Sequence, residues 1–371
     1  MAKRSELEAK LAQMFFVGTP GTELAKSSEQ FLEEYQPGGV IYFAHNYESP
    51  ALLAEMSDAI QSTRDRARNL PLFVGIDHEG GKVHRLKRPF THFPEPAMLG
   101  EIGSPKLAFM VAEVMARELR AVGVNLDFHP LCDIHTRANN PVIGKRAFGS
   151  DDELVSRMAS AMVRGFVANK VVACAKHFPG HGDTTVDSHL DLPKIEASWE
   201  QLLRRELKPF ARVIKSRVDM IMTAHILNSA LDPIYPATLS FSTISGLLRK
   251  ELRYGKLVIT DDMTMQAVEK SFGEEDRIAL AINAGCDILL YRTEEKGRQA
   301  MDIAFKFLQS GRITAEQVEA SYARIKEVKD RMLNPYLAPL MEHLKIIGSE
   351  ANLEVMRMVL EKRKPGGELG E

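Results

Sequence analysis

Eight short apolar runs, at residues 14–18, 39–43, 72–76, 124–128, 171–175, 220–223, 257–260 and 286–291, recur along the 371-residue chain, with helical patterns in most of the intervals. Short apolar runs of this kind suit strands buried on both faces, the condition of a parallel sheet covered by helices. The intervals carry start and stop signals. Ser104 offers a capping hydroxyl before Pro105, Leu107, Val111, Val114 and Met115 then share one face, and Gly123 supplies a stop. Ser150 with Glu153, Ser198 with Gln201, and Thr314 with Gln317 all have capping-box spacing.

Strands that alternate with helices make the chain α/β, and eight such units predict a (β/α)8 TIM-type barrel, which takes about 250 residues or more. An open, doubly wound sheet would share the periodicity. Against it, no G-x-G-x-x-G turn follows an early strand. The expected organisation is a single barrel domain over residues 1–335 and a C-terminal helical extension over 336–371, ending in a disordered tail.

Charge and cysteine content narrow the setting. A formal net charge of −2 provides no basic field of the sort nucleic acid requires. Cys132, Cys174 and Cys286 are odd in number and widely spaced, which reads as buried thiols in a reducing compartment. The amino terminus has positive charges without the apolar core of a leader, and no run approaches the roughly 18 apolar residues of a membrane span. A cytoplasmic protein with no membrane partner is expected.

Polar residues gather where the strands end. The segment from Lys176 to Pro193 packs three histidines, three aspartates, two glycines and two prolines directly behind an apolar run. Asp187 and His189 stand two apart, so in an extended segment their side chains meet. A carboxylate on one ring nitrogen makes the other a better base, and the pair becomes a proton-transfer device near neutral pH. Asp77 and Arg85 flank a Gly-Gly turn and are placed either to grip the hydroxyls of a sugar or to pair with each other. Arg146 lies in a second polar turn. Lys176 and His177 are adjacent at a strand end, where alternation would part them unless the chain bends. His225 reads as a satisfied wall residue. Asp261 and Asp262 end an apolar strand; one is expected to face the barrel mouth and the other can cap the next helix, and spacing does not distinguish them. A competing chemistry takes His177, His181, His189, Asp183 and Asp187 as the ligands of a metal-dependent barrel hydrolase. Pro179, Gly180 and Gly182 break the helix on which the i, i+4 histidines would converge, so no metal and no cofactor are expected.

The stretches Ile76-Asp-His-Glu-Gly-Gly-Lys-Val-His-Arg-Leu86, Ile143-Gly-Lys-Arg-Ala-Phe148, Lys176-His-Phe-Pro-Gly-His-Gly182, Asp187-Ser-His189 and Thr260-Asp-Asp-Met263 together resemble glycoside hydrolase family 3, in particular its single-domain bacterial β-N-acetylglucosaminidase branch. The resemblance runs from about residue 10 to 335 and departs at His78, where the family commonly has Gln. It implies a retaining β-N-acetylhexosaminidase that releases N-acetylglucosamine from peptidoglycan-derived muropeptides through a glycosyl-aspartate intermediate. By the same resemblance Asp261 is the nucleophile, and His189 is the acid/base with Asp187 as its partner. Asp77, Arg85, Arg146, Lys176 and His177 would hold the sugar. A β-glucosidase or a glycoside phosphorylase of the same family is the alternative reading.

Overall fold

The computed structural model describes residues 4–65, 70–184 and 192–362. Among these, eight strands close into one parallel barrel: β1 Phe15–Gly18, β2 Gly39–Tyr42, β3 Phe73–Ile76, β4 Leu126–Asp127, β5 Val172–Phe178, β6 Met220–Thr223, β7 Leu257–Asp262 and β8 Ile288–Tyr291. Each pairs with the next in sequence, and β8 returns to β1 with Leu289 beside Phe15 and Tyr291 beside Val17. Closure excludes the open sheet. β4 keeps only two residues of its apolar run, because Pro130 just beyond it has no N–H to give a ladder.

The barrel interior is filled rather than hollow. Phe16 packs against Phe73 at 5.7 Å and Phe128 at 6.4 Å between ring centroids. Gly39 makes room for them, since a Cβ there would lie 2.6 Å from the Phe16 ring. Helices cover the outer faces of the strands. Pro105–Ala121 starts where expected, with Ser104 accepting from the Leu107 amide, and the Ser198 and Thr314 boxes are reciprocal. The helix Asp152–Ala168 corrects the Ser150 expectation, because Asp151 is the residue whose side chain caps Leu154. The charged oxygen stands one residue nearer the helix and takes the amide. π-helical turns at Leu202–Glu206 and Ser242–Glu251 had no counterpart in the sequence pattern.

After Met332 the chain runs irregularly to a last helix, Glu350–Glu361, which lies on the outside of the barrel against Pro105–Ala121. Glu118 fastens it. This buried carboxylate accepts from Asn352 Nδ2 and from the Gly348 amide, both at 2.9 Å, and from the Thr91 hydroxyl at 2.7 Å. The three cysteines are buried free thiols. No described helix is long and apolar enough to cross a membrane.

One buried cation sits beside the starts of β1 and β3. Lys329, on the helix Ala315–Met332, is 0% exposed; its ammonium donates to Gln13 Oε1 at 2.7 Å and lies 5.1 Å from the Phe73 ring. Burial pushes its pKa down to about 7. The unfolded chain, titrating near 10.4, binds more protons between those two values, so the wild type loses stability as pH falls from about 10 to about 7. Lys329→Met removes that cost and is expected to be more stable at pH 6.5 by about 2–4 kcal/mol, with the gap closing near pH 10. Urea midpoints at the two pH values measure it, and a variant weaker than wild type at pH 6.5 would contradict the assignment.

Candidate active site

A hollow of about 370 Å³ opens at the carboxyl end of the barrel, lined among others by Asp77, Arg85, Arg146, Lys176, His177 and Asp261. In closed parallel barrels this end carries the chemistry. A larger hollow of about 750 Å³ lies beside Gly123, Val124 and Asn125, which precede β4, and so belongs to the opposite end.

Immediately after β3 the chain folds into a hairpin, His78–Gly80 against Val83–His84. The Asp77 carboxylate accepts from Lys176 Nζ at 2.6 Å, which takes the place of the alternative in which Asp77 pairs with Arg85. Arg85 lines the hollow, and its buried Nε has no partner among the described residues. Glu79, two residues beyond Asp77, is fully buried. It accepts from Lys176 at 2.7 Å and from the fork of Arg146 at 2.7 and 2.9 Å. Burial alone would raise the Glu79 carboxyl, but Arg146 and Lys176 hold it well below the ordinary range. In return, Asp77 and Glu79 hold the buried Lys176 ammonium above its usual value against desolvation.

β5 shifts register between Ala175 and Phe178, and the Lys176–His177 peptide is cis. Both side chains reach the hollow, so the bend expected at this strand end is present. Asp133 fixes it. Its carboxylate meets His177 Nδ1 at 2.7 Å and accepts from the amides of His177 and His181 at 3.2 and 2.6 Å. With Nδ1 occupied, His177 turns its Nε2 edge to the cavity. Gly182 is required where it stands, because a Cβ would fall 1.7 Å from the Ile134 carbonyl oxygen. Asp183 is held by Arg137 at 2.7 Å and Arg205 at 3.1 Å. His181 Nδ1 meets Thr184 at 2.9 Å. Each described member of the proposed ligand set thus has a protein partner, and among the described residues no three such side chains are arranged to hold an ion. Asp187 and His189 lie outside the described residues.

The acidic pair at the end of β7 separates by environment. Asp262 turns its carboxylate onto the Thr264 amide at 3.0 Å and hydroxyl at 2.8 Å, a local turn in place of the helix cap expected of one of the two, since the next helix, Gln266–Glu269, starts at Met265 with no side-chain cap. Asp261 makes only one bond to backbone, accepting from the Asp262 amide at 2.8 Å, and leaves an oxygen for the cavity. Burial would raise both. His177, His225 and Lys176 reverse that for Asp261 and hold it below the ordinary value, whereas Asp262 stays raised. His225 is the wall residue expected, bonded to Thr238 at 2.8 Å and to the Asp262 carbonyl at 3.0 Å.

Glu79 and Asp133 belong to the site without standing out in the sequence. Alternation would have found the first, since residue 79 shares a face with residue 77. The second had only a weaker sign, an acid inside the apolar run Leu131-Cys132-Asp133-Ile134.

A closed parallel barrel with carboxylates and cations around a sugar-sized hollow has the architecture of a barrel glycosidase. The Glycosyl hydrolase family 3 N terminal domain matches residues 6–328, and the chain belongs to that family. It is 35% identical over 336 residues to beta-hexosaminidase A of Pseudoalteromonas piscicida, covering 84% of this chain and 56% of that relative, little more than half its length. It is 36% identical to the beta-hexosaminidase of Nitrosomonas eutropha, covering 73% and 78% of the two chains. Among solved structures, a family 3 beta-N-acetylglucosaminidase from Paenibacillus superposes with a TM-score of 0.90 at 37% identity, over 97% of this chain and 69% of that one. NagZ from Neisseria gonorrhoeae in complex with N-trifluoroacetyl-D-glucosamine gives 0.77 at 26% identity, over 95% and 98%.

Proposed function

We propose that the protein is a retaining exo-β-N-acetylglucosaminidase that removes terminal N-acetylglucosamine from peptidoglycan-derived muropeptides in the cytoplasm. The observation that carries this reading is the Asp261 carboxylate, kept ionised at the mouth of a hollow walled by Asp77, Arg85, Arg146, Lys176 and His177. An oxygen of Asp261 attacks the anomeric carbon while protonated His189 gives its proton to the departing glycosidic oxygen, and the carbon–oxygen bond breaks. A glycosyl ester remains. Water then attacks the same carbon, His189 takes its proton, the ester bond breaks and Asp261 is restored, with the β configuration retained. Asp187 holds the imidazole in the tautomer that this exchange needs. Asp77 accepts from sugar hydroxyls, and Arg85, Arg146, Lys176 and His177 donate to the ring substituents.

The reading is tested by comparing an aryl β-N-acetylglucosaminide with the matching aryl β-glucoside. A preference of about 100-fold or more in kcat/KM for the N-acetylated sugar is expected, with the β anomer as first product. Equal or reversed preference would make the chain a β-glucosidase, and rate enhancement by inorganic phosphate with release of the sugar 1-phosphate would make it a phosphorylase.

A further inference from the structure

The hairpin that carries Asp77, Glu79 and Arg85 has a second face. His78 and His84 stand directly opposite each other across its two strands, and neither lines the hollow. Their ring centroids are 4.0 Å apart, and His92, from the segment that follows, stacks on His84 at 4.1 Å. Phe90 closes the His78 end at 6.5 Å. Nδ1 of His78 and both ring nitrogens of His84 are buried without a hydrogen-bond partner. Such a nitrogen is tolerable while neutral and costly once it carries a proton. The set is placed to act through the sugar wall, because the same seven residues of backbone, 78–84, join Asp77 to Arg85 at the cavity.

We propose that the His78–His84–His92 stack is a proton-sensitive clasp, whose neutral rings keep the hairpin closed behind the sugar and whose protonation in mild acid opens it and weakens substrate binding. The inference rests on the reading that Asp77 and Arg85 hold the sugar. The charged neighbours favour this direction. Arg85 on the hairpin and Arg88 on the next segment are cationic, Glu95 opposes them at His92, and on β4 the Asp127 carboxyl, raised by burial, accepts from the His78 amide at 3.0 Å. Burial pushes His84 down to about 3 and His78 well below its ordinary value, with His92 lowered too. An opened hairpin would titrate near 6.5, so the closed form is fully favoured above that pH and loses ground as pH falls toward 3, by up to about tenfold per pH unit for each ring.

The test measures kcat and KM for the aryl β-N-acetylglucosaminide from pH 7.5 to 5.0 on the full-length wild type and on His78→Gln/His84→Gln, in which neutral amides replace the rings. KM of the wild type is expected to rise about fivefold or more over this range, while that of the variant changes less than about twofold and the acid limb of kcat stays common to both. Hydrogen exchange at the Val83 and Arg85 amides reads the clasp independently of turnover, and in the wild type it should quicken over the same interval. His92→Asn, at the exposed end of the stack, gives a partial effect in the same direction and serves if the double variant does not fold. Equal acid sensitivity of KM in wild type and variants, or amide exchange that ignores pH, would overturn the clasp. Absence of turnover at every pH would sink the proposed activity, and the exchange measurement would then decide the clasp alone.

Discussion

Asp261→Asn is expected to lower kcat/KM for the aryl β-N-acetylglucosaminide by about 10⁴-fold or more while shifting the thermal midpoint by less than about 3 °C. The loss is large because, among the described residues, no other carboxylate of the hollow stands ready to form the ester. Asp77 and Glu79 are tied to Lys176, and Asp262 is committed to Thr264. The fold should tolerate the change, since an amide oxygen still accepts from the Asp262 N–H that Asp261 engages at 2.8 Å. Asp262→Asn is the internal control. Its side chain can go on accepting from Thr264, so activity should stay within about tenfold of wild type. Mass spectrometry with a slowly deglycosylating substrate should show one sugar added to the wild type and none to Asp261→Asn. Because His177, His225 and Lys176 keep Asp261 ionised, any acid limb arising from it lies below the ordinary carboxylate value near 3.9. A variant that keeps more than a tenth of the activity, or an Asp262→Asn that proves the more damaging, would move the nucleophile elsewhere.

The barrel was legible because its strands are buried on both faces, and such strands announce themselves as unbroken apolar runs. Closure was less so. Whether β8 pairs with β1 depends on strand tilt and stagger that no local pattern encodes, and Phe15 meets Leu289 across nearly the whole chain. The polar turns were found where they lie, yet their partnerships were only half readable. Arg146 was readable only as a charge in a polar turn, because the carboxylate that claims it, Glu79, is 67 residues away. Asp77 and Arg85 invited the shorter pairing, whereas Lys176 arrives from β5 and takes Asp77. Between Asp261 and Asp262 sequence spacing was silent, and the difference emerges only when Thr264 folds back to occupy one of them. Of the clasp residues only His78 stood out in the sequence, as a departure from Gln. Their meaning came from the stacking of His92, which arrives from outside the hairpin itself.

Glu79→Gln is expected to cost about 3–5 kcal/mol of stability at pH 7 and to raise KM sharply, although residue 79 does not itself line the hollow. Glu79 is the counter-charge on which two cavity-lining cations depend, with its own side chain 0% exposed and that of Lys176 2% exposed. Neutralising it leaves the Lys176 ammonium buried with Asp77 alone, and Asp77 is then less free to accept from a sugar hydroxyl. It also releases the Arg146 fork, which would keep only the Val142 carbonyl at 3.1 Å. The pH dependence has a definite sign. The folded-state pKa of Glu79 lies well below its unfolded value, so its contribution is complete above about pH 4.3 and is lost only as pH falls through the lower, folded value. The gap between wild type and variant should therefore be constant from pH 8 to about 5 and narrow only in stronger acid. Lys176→Met in the Glu79→Gln background removes the stranded ammonium and should recover part of the stability without recovering sugar affinity, a coupling that a double-mutant cycle in urea reads directly. If the single variant unfolds within about 1 kcal/mol of wild type, the buried triad is not what keeps Lys176 and Arg146 aimed at the substrate, and the wall of the site must be held by its backbone alone.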